Sequence, residues 1–219
     1  MGVCMRLFSV FSTLGVMMAT PALAGGITIL AMGDSLTAGY GLPPSQAFPA
    51  VLERELVSRG WEVRVINAGV SGDTSAGGRS RMAWALADKP RLVVLALGAN
   101  DALRGLSPQA LHDNLEAMIQ AAQDSGARVV LVGMYAPRNW DADYQQRFNA
   151  VYPELAQRYG LALYPFFLEG VYGHPELLLE DGMHPNAAGV ERMVAGVLPL
   201  VEAELKRLRV EEGGSADHS

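Results

Sequence analysis

The sequence predicts an α/β fold: a doubly wound, parallel, five-stranded sheet with helices on both faces, making three layers. Three features carry this reading. Short apolar runs alternate with helical patterns along the chain. Most of the runs are nearly continuous in Val, Leu and Ile, as expected of strands buried on both faces. Polar, glycine-rich segments come after the strands, where an open parallel sheet gathers its ligands.

The strands are read as "ITILAM" (27–32), "WEVRVIN" (61–67), "RLVVLAL" (91–97), "RVVLVGM" (128–134) and "LALYPF" (161–166). Between the first two, "SQAFPAVLERELVSRG" places Phe48, Val51, Leu52 and Leu56 on one helical face, with Ser45 as N-cap and Gly60 as the stop. "SPQALHDNLEAMIQAAQDSG" repeats the design, with Ser107 as N-cap, Pro108 in the first turn and Gly126 past the end. "DADYQQRFNAVYPELAQRYG" and "NAAGVERMVAGVLPLVEAELKRLR" read as longer helices that Pro153 and Pro199 should kink or interrupt. Right-handed crossovers leave few ways to order the strands, of which the flavodoxin-like 2-1-3-4-5 is chosen.

The ends of the chain read differently. Arg6, the apolar "LFSVFSTLGVMMA" and Ala22-Leu23-Ala24 have the three parts of a secretory signal, so residues 1–24 are expected to be removed and to leave no stable membrane anchor. The apolar stretch is short of the ~20 residues that a membrane span needs. Residues 25–209 then form one domain, and 210–219, "VEEGGSADHS", a disordered tail. The single cysteine, Cys4, falls inside the signal, which leaves no disulfide, thiol nucleophile or thiolate metal site in the mature chain. The expected location is periplasmic or secreted. A net charge of −6, or −7 without Arg6, argues against a nucleic-acid partner, which calls for a basic footprint.

The segments at the strand ends narrow the function. After the first strand comes "GDSLTAGYG", after the second "AGVSGDT", after the third "GANDALRG", and before the last helix "EDGMHPN". Four blocks in this order, Gly33-Asp34-Ser35-Leu36, Gly72, Gly98-Ala99-Asn100-Asp101 and Asp181-Gly182-Met183-His184, resemble those of the SGNH hydrolases, also called GDSL esterases and lipases. "SGDTSAGG", "GANDALRG" and "DGMHPN" look most like the periplasmic acyl-CoA thioesterase I group, described also as lysophospholipase and arylesterase. The resemblance implies the SGNH hydrolase fold and hydrolysis of acyl esters or thioesters. Thr37 stands where a G-x-S-x-G elbow would have its last glycine, which disfavours an ordinary α/β-hydrolase.

The residues support that chemistry on their own terms. A serine hydroxyl is a weak nucleophile until a base adjoins it. Of four histidines, His218 lies in the tail, His112 on a helix face and His174 in a loop without a motif. His184 is held out of helix by Pro185, and Asp181 lies three residues earlier, within reach to orient an imidazole. The catalytic set is therefore Ser35, His184 and Asp181. The resemblance implies the oxyanion donors: the Ser35 and Gly72 backbone N–H groups and the Asn100 amide. Taken alone, Gly72 and Asn100 read equally as turn residues. Asp34 and Asp101 are assigned to backbone hydrogen bonding. Leu103, Leu106, Tyr135, Trp140 and Met183 are candidates to line an acyl groove, or else to pack the core. No phosphate loop or nicotinamide fingerprint occurs, so neither cofactor nor metal is implied, and the partner is a small-molecule acyl ester or thioester. Acyltransferase and carbohydrate O-deacetylase activity use the same residues, and a flavodoxin-like binding module without chemistry is the remaining alternative.

Overall fold

The computed structural model describes residues 26–216; the expected signal segment, and residues 217–219 of the expected tail, lie outside the described residues. In chain order the elements are β1 (Ile27–Gly33), α1 (Ser35–Ala38), α2 (Phe48–Ser58), β2 (Val63–Gly69), α3 (Ser75–Ala85), β3 (Leu92–Ala96), α4 (Ala99–Leu103), α5 (Pro108–Asp124), β4 (Arg128–Val132), α6 (Ala142–Tyr159), β5 (Ala162–Tyr164) and α7 (Ala187–Ala216). The sheet has the order β2-β1-β3-β4-β5, and every pairing is parallel. The order and sense match the sequence reading.

The two-residue period of a strand divides the core. Ile27 and Ile29 of β1, Leu92 and Val94 of β3, and Val130 and Val132 of β4 pack with Phe48, Leu52 and Leu56 of α2 and Val194, Val197 and Val201 of α7. Their alternates, Leu30, Met32, Val93, Leu95, Val129 and Leu131, pack with Met82 of α3, Leu115 and Met118 of α5, and Phe148 and Tyr152 of α6. Both faces are thus covered, which is why these strands lack polar alternation. Each fully buried side chain of this size contributes ~1.5–3 kcal/mol.

Several local expectations are corrected. Ser45 does not cap α2. Pro44–Gln46 form a separate 3-10 turn, and α2 begins after Ala47 without a side-chain cap. Proline at the first position of that turn absorbs the segment in which Ser45 lies. Neither Pro153 nor Pro199 interrupts its helix. An interior proline costs ~3 kcal/mol. Val151, Tyr152 and Leu155 around Pro153, and Val197, Leu198 and Val201 around Pro199, are buried, and together they outweigh it. β5 spans three residues only, because Pro165 has no N–H to continue the ladder. The last helix continues to Ala216, through part of the expected tail.

Helix α3 has no counterpart in the sequence reading. Its residues, "SAGGRSRMAWA", contain a glycine pair that lowers helix propensity and blurs the apolar period. The glycines are there for room. A Cβ on Gly78 would run into the Leu97 side chain, and one on Gly77 into the Asp73 carboxylate.

Register decides where chemistry collects. Gly33, the last residue of β1, pairs with Gly69 of β2 and Ala96 of β3. The loops that leave these three strands therefore start level on one rim, at the point where the strand order reverses.

Candidate active site

The polypeptide leaves β1 through Gly33 and turns at once into α1. Asp34 caps that helix, its Oδ1 accepting from the Leu36 N–H at 3.0 Å, so Ser35 is the first residue of α1. A Cβ at Gly33 would collide with the Thr37 side chain, so the tight turn needs glycine at its start. Four residues after Ser35, Gly39, at φ 80°, ends the helix in the left-handed conformation.

His184 approaches from the segment before α7. Gly182, at φ 66°, shapes the turn, and the Leu179 N–H closes it on the His184 carbonyl at 2.8 Å. Within this turn Asp181 Oδ1 accepts from the backbone N–H groups of Met183 and His184, both at 2.9 Å. Its Oδ2 lies 2.6 Å from His184 Nδ1. These hydrogen bonds, led by that from the His184 N–H, pull the Asp181 carboxyl down to about 2. An ionised carboxylate there holds the proton on Nδ1, which leaves the Nε2 lone pair free. His184 Nε2 stands 3.0 Å from Ser35 Oγ, in position to accept its proton. The Tyr40 ring covers the imidazole, with centroids 4.4 Å apart and planes inclined by 34°.

The loops after β2 and β3 complete the rim. Gly72 has φ 80°, a conformation that side chains oppose, in a turn closed by the Asp73 N–H on the Val70 carbonyl at 3.0 Å. Arg104 donates to the Gly72 carbonyl at 2.8 Å. Asn100, in the first turn of α4, donates through Nδ2 to the Asp73 carbonyl at 2.9 Å and faces Asp34 Oδ2 at 3.5 Å. Asp34 is buried, and that burial pushes its carboxyl up to about 6 against the pull of the Leu36 N–H. Asp101 accepts from the Ser75 N–H at 2.8 Å and the Ser75 hydroxyl at 2.5 Å, joining α4 to the start of α3. Both acids are thus engaged in supporting hydrogen bonds.

These residues open onto a cleft of about 770 Å³, lined by Ser35, Gly72, Asn100, Asp181 and His184. Leu103, Tyr135 and Met183 are on its wall; Leu106 and Trp140 are not. Trp140 covers Gly105 and donates its indole N–H to the Ala102 carbonyl at 2.8 Å, so it braces the loop from behind. The Leu106 carbonyl accepts from the Tyr144 hydroxyl at 2.9 Å. Phe166 and Tyr172 also line the cleft, which their places in the sequence do not signal, and Phe166 stacks on Tyr135 at 4.8 Å. Tyr40, Asp73 and Arg81 are further residues that sequence reasoning misses. Tyr40 and Asp73 lie inside the glycine-rich blocks, and that proximity is the one signal that could find them.

The other described histidines take no part. His174 pairs with Glu176, and His112 adjoins Asp113 on α5. Among the described residues, only His112, Asp113 and Glu116 bring three potential metal ligands together. Glu116 already accepts from Arg158 and Tyr159, each at 2.8 Å, and Asp113 from Gln109 at 2.7 Å, so these acids are satisfied without an ion.

Comparison with known proteins places the chain among related sequences and folds. Residues 31–192 match the GDSL-like Lipase/Acylhydrolase family. Esterase TesA of Pseudomonas aeruginosa is 44% identical over 180 residues, covering 82% of this chain and 90% of that protein. The thioesterase 1/protease 1/lysophospholipase L1 of Escherichia coli (strain K12) is 40% identical over 164 residues, covering 74% of this chain and 77% of its own length. A crystal structure of TesA superposes with a TM-score of 0.77 at 44% identity, covering 80% of this chain and 98% of that one.

Proposed function

The chain belongs to the GDSL-like lipase/acylhydrolase family, and we propose that it hydrolyses acyl esters and thioesters through an acyl-enzyme on Ser35. As a member of that family it is an ester-bond hydrolase. The observation that carries the residue assignment is the unbroken relay from Asp181 to His184 at 2.6 Å and from His184 to Ser35 at 3.0 Å, at the mouth of an apolar cleft.

In this reading His184 Nε2 removes the Ser35 proton as Oγ attacks the substrate carbonyl. Asp181 holds the ring and stabilises the imidazolium that forms. Negative charge develops on the carbonyl oxygen, and the Ser35 N–H, the Gly72 N–H and the Asn100 amide donate to it. Donors fixed in place before the reaction need no reorganisation, and each is worth ~3–4 kcal/mol at the transition state. The imidazolium then protonates the departing alcohol or thiol. Water, activated by the same ring, attacks the acyl-enzyme, and the acid leaves with Ser35 restored.

Leu103, Tyr135, Met183, Phe166 and Tyr172 supply an apolar wall suited to an acyl chain or an aryl group. The substrate classes proposed are aryl esters, acyl-CoA thioesters and lysophospholipids. The secretory pattern of residues 1–24 supports export to the periplasm or medium. No helix among the described residues is long and apolar enough to cross a membrane.

Purified protein tested on p-nitrophenyl esters and acyl-CoAs of graded length, with Ser35→Ala alongside, decides the reading. Turnover that disappears in Ser35→Ala supports it. Turnover that survives the substitution contradicts it.

A further inference from the structure

We propose that Arg81 is a positioning residue that holds the oxyanion loops in register through one guanidinium. The inference rests on the reading of Ser35, Gly72 and Asn100 as the donors. Arg81 lies on α3, the helix that the glycine pair conceals in the sequence. Its Nε donates to Asp73 Oδ2 at 2.8 Å, its Nη1 to the Ala68 carbonyl at 2.7 Å and its Nη2 to the Gly33 carbonyl at 2.9 Å.

Each acceptor adjoins a different part of the site. Gly33 ends β1, two residues before Ser35. Ala68 lies at the end of β2, four residues before Gly72. Asp73 directly succeeds Gly72, and its carbonyl is the acceptor that orients the Asn100 amide at 2.9 Å. One side chain thus ties together the segments that carry or orient all three donors. The arrangement needs a guanidinium, because only a planar fork presents several N–H groups in divergent, fixed directions. A lysine ammonium at this position has one nitrogen and cannot span the three acceptors. Gly77 serves the same device: its missing Cβ gives the Asp73 carboxylate room beside α3.

The side chain is 19% exposed, so the ion pair with Asp73 is largely sheltered from solvent. Removing the guanidinium leaves the Ser35 and His184 side chains untouched while releasing the Gly72 loop from the ends of β1 and β2. Displacement of a reacting group's surroundings by about 1 Å costs on the order of 10²-fold in rate. The loss belongs in kcat, since the oxyanion exists only beyond the ground state.

The test compares Arg81→Ala, Arg81→Lys and Asn100→Ala with the wild type on one p-nitrophenyl ester, with melting temperatures from the same preparations. The proposal expects both Arg81 variants to lose on the order of 10²-fold in kcat at nearly constant KM. It also expects millimolar guanidinium ion to restore part of the rate to Arg81→Ala and none to Asn100→Ala. A purely structural arginine would lower the melting temperature and leave kcat of the folded fraction near wild type, which overturns the proposal. A kcat loss in Arg81→Ala that guanidinium does not relieve overturns it too. If Arg81→Ala fails to fold, Arg81→Lys decides by its kcat alone. An unimpaired Asn100→Ala refutes the donor reading itself, whereas an impaired Asn100→Ala beside an unimpaired Arg81→Lys refutes only the role of Arg81.

Discussion

Asp34→Asn should make the protein more stable and less active, with a stability gain that depends on pH. The wild-type carboxyl is buried and raised from 3.8 to about 6. A raised carboxyl pKa means that the folded state binds its proton more tightly than the unfolded state. This contribution to stability is therefore full below 3.8, falls as pH climbs through the interval, and is gone above about 6. About two pKa units correspond to a cost of about 3 kcal/mol for keeping Asp34 ionised at neutral pH. Asparagine has no charge to desolvate, and its Oδ1 can still accept from the Leu36 N–H, which lies at 3.0 Å in the wild type. Its amide, however, would present N–H groups toward Asn100 Nδ2, where Asp34 Oδ2 stands at 3.5 Å. Two donors facing each other push the Asn100 amide from its place, and kcat should fall at least about tenfold, a fraction of a full donor's value. Urea unfolding of both proteins at a pH below 3.8 and at one well above 6 measures the first effect. The variant's advantage should grow from near zero to about 3 kcal/mol. An advantage of equal size at both pH values, or a variant less stable at the higher one, refutes the argument.

The other expectations concern the relay, an oxyanion donor and the glycine pair. Asn100→Ala should lower kcat by about 10²–10³ with little change in KM; stability should fall by only ~1 kcal/mol for the lost bond to the Asp73 carbonyl. A near-normal kcat with a lowered melting temperature would remove Asn100 from the donor set. Asp181→Asn should reduce kcat on the order of 10⁴-fold by favouring the wrong His184 tautomer. Because the Asp181 carboxyl is lowered from 3.8 to about 2, the stability it adds is present above 3.8 and lost as pH falls through about 2. Acid unfolding curves of wild type and Asp181→Asn should converge at that lower limit, and parallel curves would count against the hydrogen bonds described. Gly78→Ala should destabilise the fold through its clash with Leu97 despite the better helix propensity of alanine. A melting temperature at or above wild type would show that α3 does not need the close approach.

Much of this architecture is legible in the sequence because its strands are short, the three central ones are buried on both faces, and strong stops separate them. Continuous runs such as "LVVLA" suit a buried strand, and the pairing order is one of the few that right-handed crossovers leave open. Ser35 and His184 are legible for a chemical reason: a nucleophile needs a base, and only one histidine in the sequence has a proline after it and an acid three residues before it. Helix α3 is hidden because its glycines make room for the Leu97 side chain, from the end of another strand, and for the Asp73 carboxylate folded back from the preceding turn. Ser45 misleads because the 3-10 turn that Pro44 begins overrides local capping preference. Of the five apolar residues expected at the cleft, Trp140 braces a loop and Leu106 lies off the wall, while Phe166 and Tyr172 take places on it that the sequence does not mark. Apolarity near a rim marks candidates for an acyl groove, and only the folded loops decide which of them line it. The role of Arg81 depends on three carbonyl or carboxylate oxygens from two strands and a loop, a set that no spacing along the chain displays.

The central claim is that His184, oriented by Asp181, makes Ser35 a nucleophile, and covalent capture tests it most directly. The protein should be treated with a fluorophosphonate, digested and mapped by mass spectrometry, in parallel with His184→Ala. The account predicts a single stoichiometric adduct on Ser35, loss of esterase activity in step with labelling, and labelling slowed by orders of magnitude in His184→Ala. An adduct on another serine, or complete labelling of Ser35 with hydrolysis continuing unabated, would contradict it.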